Sequence, residues 1–295
     1  MEEVSRLSIS DDQILVRVHD AGVNPIDWKI RQGFLKQLMP VSFPLTIGQD
    51  FAGEVMDRGK AVERFRNGDR VFGFAQGAYA EYAAAPESAM AAIPDSIDYP
   101  TAAALPTAGL TALQIIRDVI HAKPGMTVII HGAAGGVGSF ASQIAKTFGA
   151  KVTGTATGED IRYLNSLGIH GVIDSTREHF EARVHDLDAV VDLVGGETLT
   201  RSYAVVKKGG TLVTTVGQID DVGAKRAGIR ATRIVVKRSS ADLAELASLV
   251  EKGAVKPRVA QTMSPADAKK AQVLGERGGT HGKRKGDFKS GVNSI

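Results

Sequence analysis

The chain has 295 residues, 43% of them hydrophobic, enough to bury the cores of one large or two ordinary domains. It contains no cysteine, which excludes disulfides and thiolate metal sites, and no apolar run long enough to span a bilayer as a helix. The net charge of +3 lies in the last 20 residues, where five basic side chains outnumber two acidic ones, so residues 1–275 balance at 31 of each sign and give no reason to expect a nucleic-acid surface. The acidic, polar N-terminus does not read as a secretory signal, and the expectation is a cytoplasmic protein.

In chain order, residues 13–23 alternate apolar and polar through Ile14, Val16 and Val18, which predicts a strand. Short strand-like runs follow at Phe51-Ala-Gly-Glu-Val-Met, Gly68-Asp-Arg-Val-Phe-Gly and Ala78-Tyr-Ala-Glu-Tyr, broken by Gly and Pro, so the first third reads as mostly β. From Ala102 to Ile120 the pattern is helical. From residue 125 it alternates strictly. Strands are predicted at 127–131, 151–156, 171–174, 188–194, 210–216 and 229–236, and helices at 138–148, 159–167, 177–184, 197–206 and 240–252. Repeating strand–helix units of this length imply a parallel sheet covered on both faces. Residues 257–272 predict a strand and a short helix returning to the first domain. After Gly282 the segment is polar, without a strand period, and is expected to be poorly ordered.

The most informative stretch is Thr-Val-Ile-Ile-His-Gly-Ala-Ala-Gly-Gly-Val-Gly at 127–138. An apolar strand enters a glycine turn, and a helix pattern follows through Phe140, Ile144 and Phe148. That order brings a pyrophosphate to free N–H groups at a helix N-terminus. Ala133 stands where the strict Gly-x-Gly-x-x-Gly fingerprint has its first glycine, with Gly135 and Gly138 in the other two places. Six strands with this fingerprint on the first suit a complete Rossmann domain. About twenty residues past the turn an acid would bind the ribose of NAD. The second strand ends instead in Gly154-Thr-Ala-Thr, whose Thr155 and Thr157 hydroxyls leave room for a 2′-phosphate that Arg162 can reach. Glu159 and Asp160 argue against a phosphate there, or are helix-start acids favoured by the dipole. The balance favours NADPH.

Six ordered stretches then point one way: Ala21-Gly-Val-Asn-Pro-Ile-Asp-Trp-Lys-Ile-Arg-Gln-Gly, Gly48-Gln-Asp-Phe-Ala-Gly-Glu-Val, Gly68-Asp-Arg-Val, Leu105-Pro-Thr-Ala-Gly-Leu-Thr-Ala, Gly132-Ala-Ala-Gly-Gly-Val-Gly and Asp192-Leu-Val-Gly-Gly. The chain resembles the medium-chain dehydrogenase/reductase superfamily, and more closely its zinc-free quinone oxidoreductase (zeta-crystallin-like) and alkenal/enone reductase branch, over roughly residues 10–283. The resemblance implies an α/β fold in which a doubly wound parallel Rossmann sheet, residues 106–255, is inserted into a mostly β GroES-like catalytic domain built from 1–105 and 256–295. The family ends in a glycine-lysine followed by an apolar strand, whereas Gly282-Lys283 is followed here by Arg-Lys-Gly-Asp-Phe-Lys.

By the same resemblance, the positions that zinc-dependent relatives fill with cysteine, histidine and cysteine are Asn24, Gln49 and Thr107. With soft and imidazole ligands absent, no catalytic metal is expected. An alcohol dehydrogenase reaction needs such a Lewis acid, so the chemistry expected is hydride transfer to a quinone or to the C=C of an α,β-unsaturated carbonyl. Asn24 would lie near the nicotinamide as a donor to an oxygen, or is a turn residue before Pro25. Lys29 matches a lysine of some enone reductases, or is a surface lysine. Asp27 reads better as a turn-forming side chain. Further cofactor contacts implied are Thr111, Ala133, Gly135, Gly136, Val137, Gly138, Val194, Gly195, Val216, Gly217 and Lys283. The seven histidines show no metal spacing; His131 reads as a strand residue packed under the turn, and Tyr79 and Tyr82 as core packing.

The partners expected are a small-molecule quinone or enone and a second copy of the chain, paired through the edge strand at 229–236, with no nucleic acid and no membrane. The alternatives are an enoyl-thioester reductase, and a nucleotide-binding redox sensor or interaction module without turnover.

Overall fold

The computed structural model describes residues 7–37, 40 and 42–277, and the backbone of 283–287. The elements in chain order are β1 (Gln13–Val23), α1 (Pro25–Arg31), β2 (Asp50–Arg58), β3 (Arg70–Phe74), β4 (Tyr82–Pro86), β5 (Met90–Ala92), α2 (Tyr99–Ala103) and α3 (Pro106–Gln114). Next come β6 (Thr127–His131), α4 (Gly136–Thr147), β7 (Lys151–Ala156), α5 (Asp160–Ser166), β8 (Gly171–Asp174), β9 (Leu187–Asp192), α6 (Gly196–Ser202), β10 (Val206–Thr214), α7 (Asp221–Ala227) and β11 (Arg230–Arg233). The chain closes with α8 (Ser240–Glu251), β12 (Val259–Met263), α9 (Ala268–Arg277) and β13 (Lys283–Asp287).

These elements form two compact units. The first holds the described residues up to Leu110, Arg238–Gly253 and those from Pro257 onward; the second holds Thr111–Lys237 and Ala254–Lys256. The division therefore falls inside α3, and α8, which the sequence reading grouped with the parallel sheet, packs with the first unit. Leu246 of α8 lies so close to Gly109 that a Cβ there would approach it to 2.4 Å.

The first unit is a seven-stranded sheet with path β12-β13-β1-β2-β3-β5, β4 pairing β1. Strand β1 serves two partners along one edge, β4 through Gln13–Arg17 and β13 through Asp20–Val23, while β2 covers the other edge. Its alternation buries Ile14, Val16 and Val18 with Phe51, Val55, Val71 and Met90 in one core, as period-2 patterning requires. Lys283–Asp287 is a strand, antiparallel to β1 and parallel to β12, contrary to the expectation of disorder after Gly282. Its polar composition is compatible with a strand because backbone pairing to two neighbours does not need an apolar face.

The second unit is a six-stranded parallel sheet of order β8-β7-β6-β9-β10-β11. This is the doubly wound order, with its reversal between β6 and β9. Ile129, Ile173, Leu187, Val190, Leu199, Val206 and Leu212 form its core with Phe180.

Several boundaries differ from the sequence reading. Residues 102–120 are not one helix: Pro106 starts α3 anew and Ile115–Val119 widen into a π turn. The helix expected at 177–184 is only a 3-10 turn at Phe180–Ala182, because the segment offers few apolar side chains to pack. The strand expected from Ala78 starts at Tyr82. The sequence reading passed over α1, hidden behind Pro25, and α7, whose Gly223 weakens the helical pattern.

Candidate active site

Strand β6 ends at His131 and the chain turns at Gly132, whose φ of 70° lies in the region that favours glycine. The turn is closed by Gly135 N–H donating to the Gly132 carbonyl at 3.0 Å, and Ala133 N–H donates to the Thr155 carbonyl at 3.1 Å. Helix α4 begins at Gly136 with the exposed Gly135 as its cap and, among the described residues, no side-chain cap hydrogen bond. The leading N–H groups, Gly136, Val137 and Gly138 among them, are thus left to an outside acceptor. Gly138 is required by packing, since a Cβ there would lie 2.2 Å from the Gly132 carbonyl oxygen. Ala133 in place of the first fingerprint glycine is explained by Gly154 opposite it: a Cβ on Gly154 would come within 2.7 Å of the Ala133 Cβ. The Ala133 methyl fits because β7 carries a glycine at this contact. A helix start without a side-chain cap among the described residues, behind a tight glycine turn, fits a dinucleotide pyrophosphate.

The neighbouring strand ends continue this surface. Val194 and Val216 follow β9 and β10 and are 55% and 46% exposed. The Val194 Cγ2 stands 3.3 Å from the Cβ position of Gly132, and the Val216 Cγ2 stands 3.1 Å from that of Gly195. A buried carboxylate builds the two loops. Asp192 accepts from Val194 N–H (3.2 Å), Gly195 N–H (3.0 Å) and the Thr214 hydroxyl (2.8 Å). The same Thr214 oxygen accepts from Val216 and Gly217 N–H, both at 3.2 Å. A Cβ on Gly217 would meet the Leu199 Cδ2 at 2.2 Å, so a larger residue there would have to turn the end of that leucine aside. Ligands in open α/β sheets bind at these carboxyl ends, beside the reversal of strand order. Asp192 and Thr214 have no ligand-facing role in the sequence reading; the signal for them is a polar residue ending each apolar strand.

At the end of β7 the two threonines part company. Thr155 is buried, and its hydroxyl accepts from Gly132 N–H at 3.3 Å, so it supports the turn from inside. A phosphate contact by this hydroxyl does not fit its placement. Thr157 is exposed, its carbonyl taking Asp160 N–H. Arg162 is exposed with only a loose pairing to Glu159 at 3.7 Å. Thr111 is buried on α3. Lys283 is placed by its backbone in β13, beside β12.

In the first unit, Asn24 caps α1 and is 4% exposed. Asp27, three residues on, accepts the Asn24 backbone N–H at 2.7 Å through Oδ2, and the same oxygen accepts the Tyr79 hydroxyl at 2.8 Å. Tyr79 is brought there by Gly48, where a Cβ would strike the tyrosine ring at 2.4 Å. Burial and the Asp27 carboxylate push the Tyr79 phenol well above its usual range, so it remains a donor. The far end of α1 is tied to α9 by Arg31, which donates to Gln272 (2.9 Å) and Glu276 (2.8 Å). This frame fixes Asn24 while its Nδ2, buried, has no hydrogen-bond partner among the described residues. A donor held in this state suits an oxygen of a ligand. Lys29 is half-buried, its Nζ 5.6 Å from the Trp28 ring centre. Asp27 and Tyr79, read from sequence as a turn former and a packing residue, are the supports of this corner.

At the two other positions that the resemblance relates to metal ligands, the side chains are engaged elsewhere. Thr107 donates its hydroxyl to Asp50 at 2.5 Å, and Gln49 Oε1 accepts from Arg238 at 2.8 Å. A guanidinium on the Gln49 oxygen leaves a second cation poorly served there. Among the described residues no group of three or more His, Asp or Glu is arranged to hold a metal, and no helix is long and apolar enough to cross a membrane.

The parallel sheet in this order, with a glycine turn on its first strand, defines a Rossmann dinucleotide-binding protein. The alcohol dehydrogenase GroES-like domain model matches residues 10–95, and the zinc-binding dehydrogenase model matches 167–284. The chain belongs to the medium-chain dehydrogenase/reductase superfamily. It is 38% identical over 237 residues to the chloroplastic quinone-oxidoreductase homolog of Spinacia oleracea, covering 68% of this chain and 72% of that protein. It is 35% identical over 264 residues to the chloroplastic NADPH-dependent alkenal/one oxidoreductase of Arabidopsis thaliana, covering 85% of this chain but only 65% of the relative's length. Among solved structures, the Escherichia coli quinone oxidoreductase complexed with NADPH superposes with a TM-score of 0.89 at 28% identity, over 97% of this chain and 95% of the other.

Proposed function

We propose that the protein is a zinc-independent, NADPH-dependent oxidoreductase whose acceptor is a quinone or the C=C of an α,β-unsaturated carbonyl. The observation that carries this reading is the open glycine turn at the carboxyl end of β6, followed after β7 by threonine and arginine where an NAD-type site has a carboxylate. The turn of Ala133, Gly135, Gly136, Val137 and Gly138 would hold the pyrophosphate, Thr157 and Arg162 the 2′-phosphate, and Val194, Gly195, Val216 and Gly217 the nicotinamide half. NADPH, when bound, supplies the hydride.

The remaining work falls to side chains of the first unit. Asn24 Nδ2, fixed by the Asp27–Tyr79 frame, donates to the acceptor oxygen on which charge develops, where a preorganised donor is most effective. Lys29 Nζ provides a second donor and the proton that returns to the oxygen. Metal independence rests on the donor set, an amide at Asn24, an amide held by Arg238 at Gln49 and a hydroxyl held by Asp50 at Thr107. We further propose a cytoplasmic homodimer paired through β11, which among the described residues is hydrogen-bonded on one side only, to β10.

The experiment is NADPH oxidation followed by absorbance with naphthoquinone, an alkenal, crotonyl-CoA and a simple aldehyde, each repeated with NADH. Faster turnover of the quinone or alkenal, with NADPH preferred, is expected. NADPH binding without turnover of any acceptor would overturn the enzyme reading in favour of a redox sensor, and preference for the thioester would assign an enoyl reductase.

A further inference from the structure

A histidine lies directly behind the glycine turn, and its two ring nitrogens are both engaged. His131 is fully buried at the end of β6. Its Nε2 lies 3.2 Å from the Ser202 hydroxyl and its Nδ1 lies 3.3 Å from the Thr155 hydroxyl. The donor roles follow from counting protons. Ser202 gives its single hydroxyl proton to the Thr198 carbonyl at 2.7 Å, so it can only accept from the ring, and Nε2 must carry the hydrogen. Nδ1 is then an acceptor. Thr155 already accepts Gly132 N–H at 3.3 Å, and its own proton is directed to Nδ1. The result is one unbroken run of bonds: Gly132 N–H to Thr155, Thr155 to His131, His131 to Ser202, Ser202 to the Thr198 carbonyl. It ties β6, β7 and α6 to the first residue of the turn; each hydroxyl in it accepts one bond and donates one, and each ring nitrogen is used once, as its chemistry allows.

We propose that His131, as the neutral Nε2–H tautomer, is a positioning residue for the dinucleotide: through Thr155 it sets the orientation of Gly132 and hence the N–H cradle in front of it. This rests on the reading of the turn as a dinucleotide site. A protonated ring would present a second hydrogen to Thr155 and leave the threonine proton without its acceptor, so the arrangement demands the neutral form. Burial is the main cause that keeps it neutral, lowering the group to about 4. The charged groups around it act in opposite senses, Asp192 and Glu181 raising it and Arg201 lowering it. The ring is wedged by Phe180, 4.4 Å away, so it cannot turn to trade partners without repacking.

The test uses the full chain in three forms, wild type, Thr155→Val and Thr155→Ser. Valine keeps the shape of threonine and removes the oxygen; serine restores the oxygen. NADPH affinity by fluorescence titration is expected to weaken about tenfold in Thr155→Val and to recover in Thr155→Ser, with KM for NADPH following and kcat little changed. Nitrogen-15 NMR of the ligand-free wild type reads the tautomer without a variant that must fold, and Nε2–H is expected. An Nδ1–H tautomer, or Thr155→Val binding as tightly as wild type, would overturn the proposal alone. Wild type without affinity for NADPH would overturn the dinucleotide reading, and the proposal with it.

Discussion

The two units carry their functional groups in contrasting ways. In the second, the proposed site is mostly backbone: N–H groups at the start of α4, a glycine at 138 that packing requires, and loops shaped by Asp192 and Thr214. In the first, the proposed site is side-chain atoms drawn from residues far apart in sequence, Asn24, Asp27 and Tyr79 with Gly48 beneath them. A backbone site tolerates a side chain so long as shape is kept, as the fit of the Ala133 methyl against Gly154 illustrates. A side-chain site depends on each functional group. Backbone sites should therefore fail by steric intrusion and side-chain sites by loss of single atoms.

The largest expected effect is on the backbone site. Gly138→Ala forces a Cβ to within 2.2 Å of the Gly132 carbonyl oxygen. NADPH affinity should fall more than about 100-fold, since turn and helix must separate and the N–H cradle is lost. Fluorescence titration checks it; near-normal affinity would show that the helix start does not hold the cofactor.

Next comes acid. The folded-state value of His131, about 4, is below its ordinary 6.5, so the folded protein binds fewer protons between those values. The stability this group contributes is complete above pH 6.5 and is lost as pH falls toward 4, about 3 kcal/mol in all. Urea denaturation of wild type and His131→Gln across that range should show the steeper loss in wild type.

On the side-chain site, Asn24→Ala should lower kcat about 100-fold while leaving NADPH affinity within about twofold, because the proposed role of this donor is at the acceptor oxygen. Equal losses in binding and turnover would move Asn24 out of that role. Tyr79→Phe removes one hydrogen bond to Asp27 and should cost about 1 kcal/mol of stability in chemical denaturation, with a smaller loss of kcat than Asn24→Ala. The smallest effect is expected at Arg162, which is 83% exposed. Arg162→Ala should weaken NADPH about fivefold and leave NADH unchanged.

The same contrast governs what could be read in advance. Strands 127–131, 151–156 and 171–174 lie where the apolar runs put them, because buried parallel strands advertise themselves by composition. The glycine turn was legible for the same reason, being local and continuous. The corner around Asn24 was only half legible. Asn24 itself was visible, yet Asp27 looked like a turn residue and Tyr79 like packing, since nothing in sequence links positions 27, 48 and 79. Thr155 was legible as a hydroxyl in the right place but not in its direction, which depends on His131 one strand away. The strand at Lys283–Asp287 escaped because its partners are β1 and β12, and pairing of this kind leaves no period in the residues themselves.

The most direct test of the central claim is NADPH consumption with naphthoquinone by protein exhaustively treated with EDTA. Undiminished turnover, with NADPH preferred to NADH, is the expected result. Turnover abolished by the chelator and restored by zinc would contradict the account, because it would require a metal at positions where this chain carries the amides of Asn24 and Gln49 and the hydroxyl of Thr107.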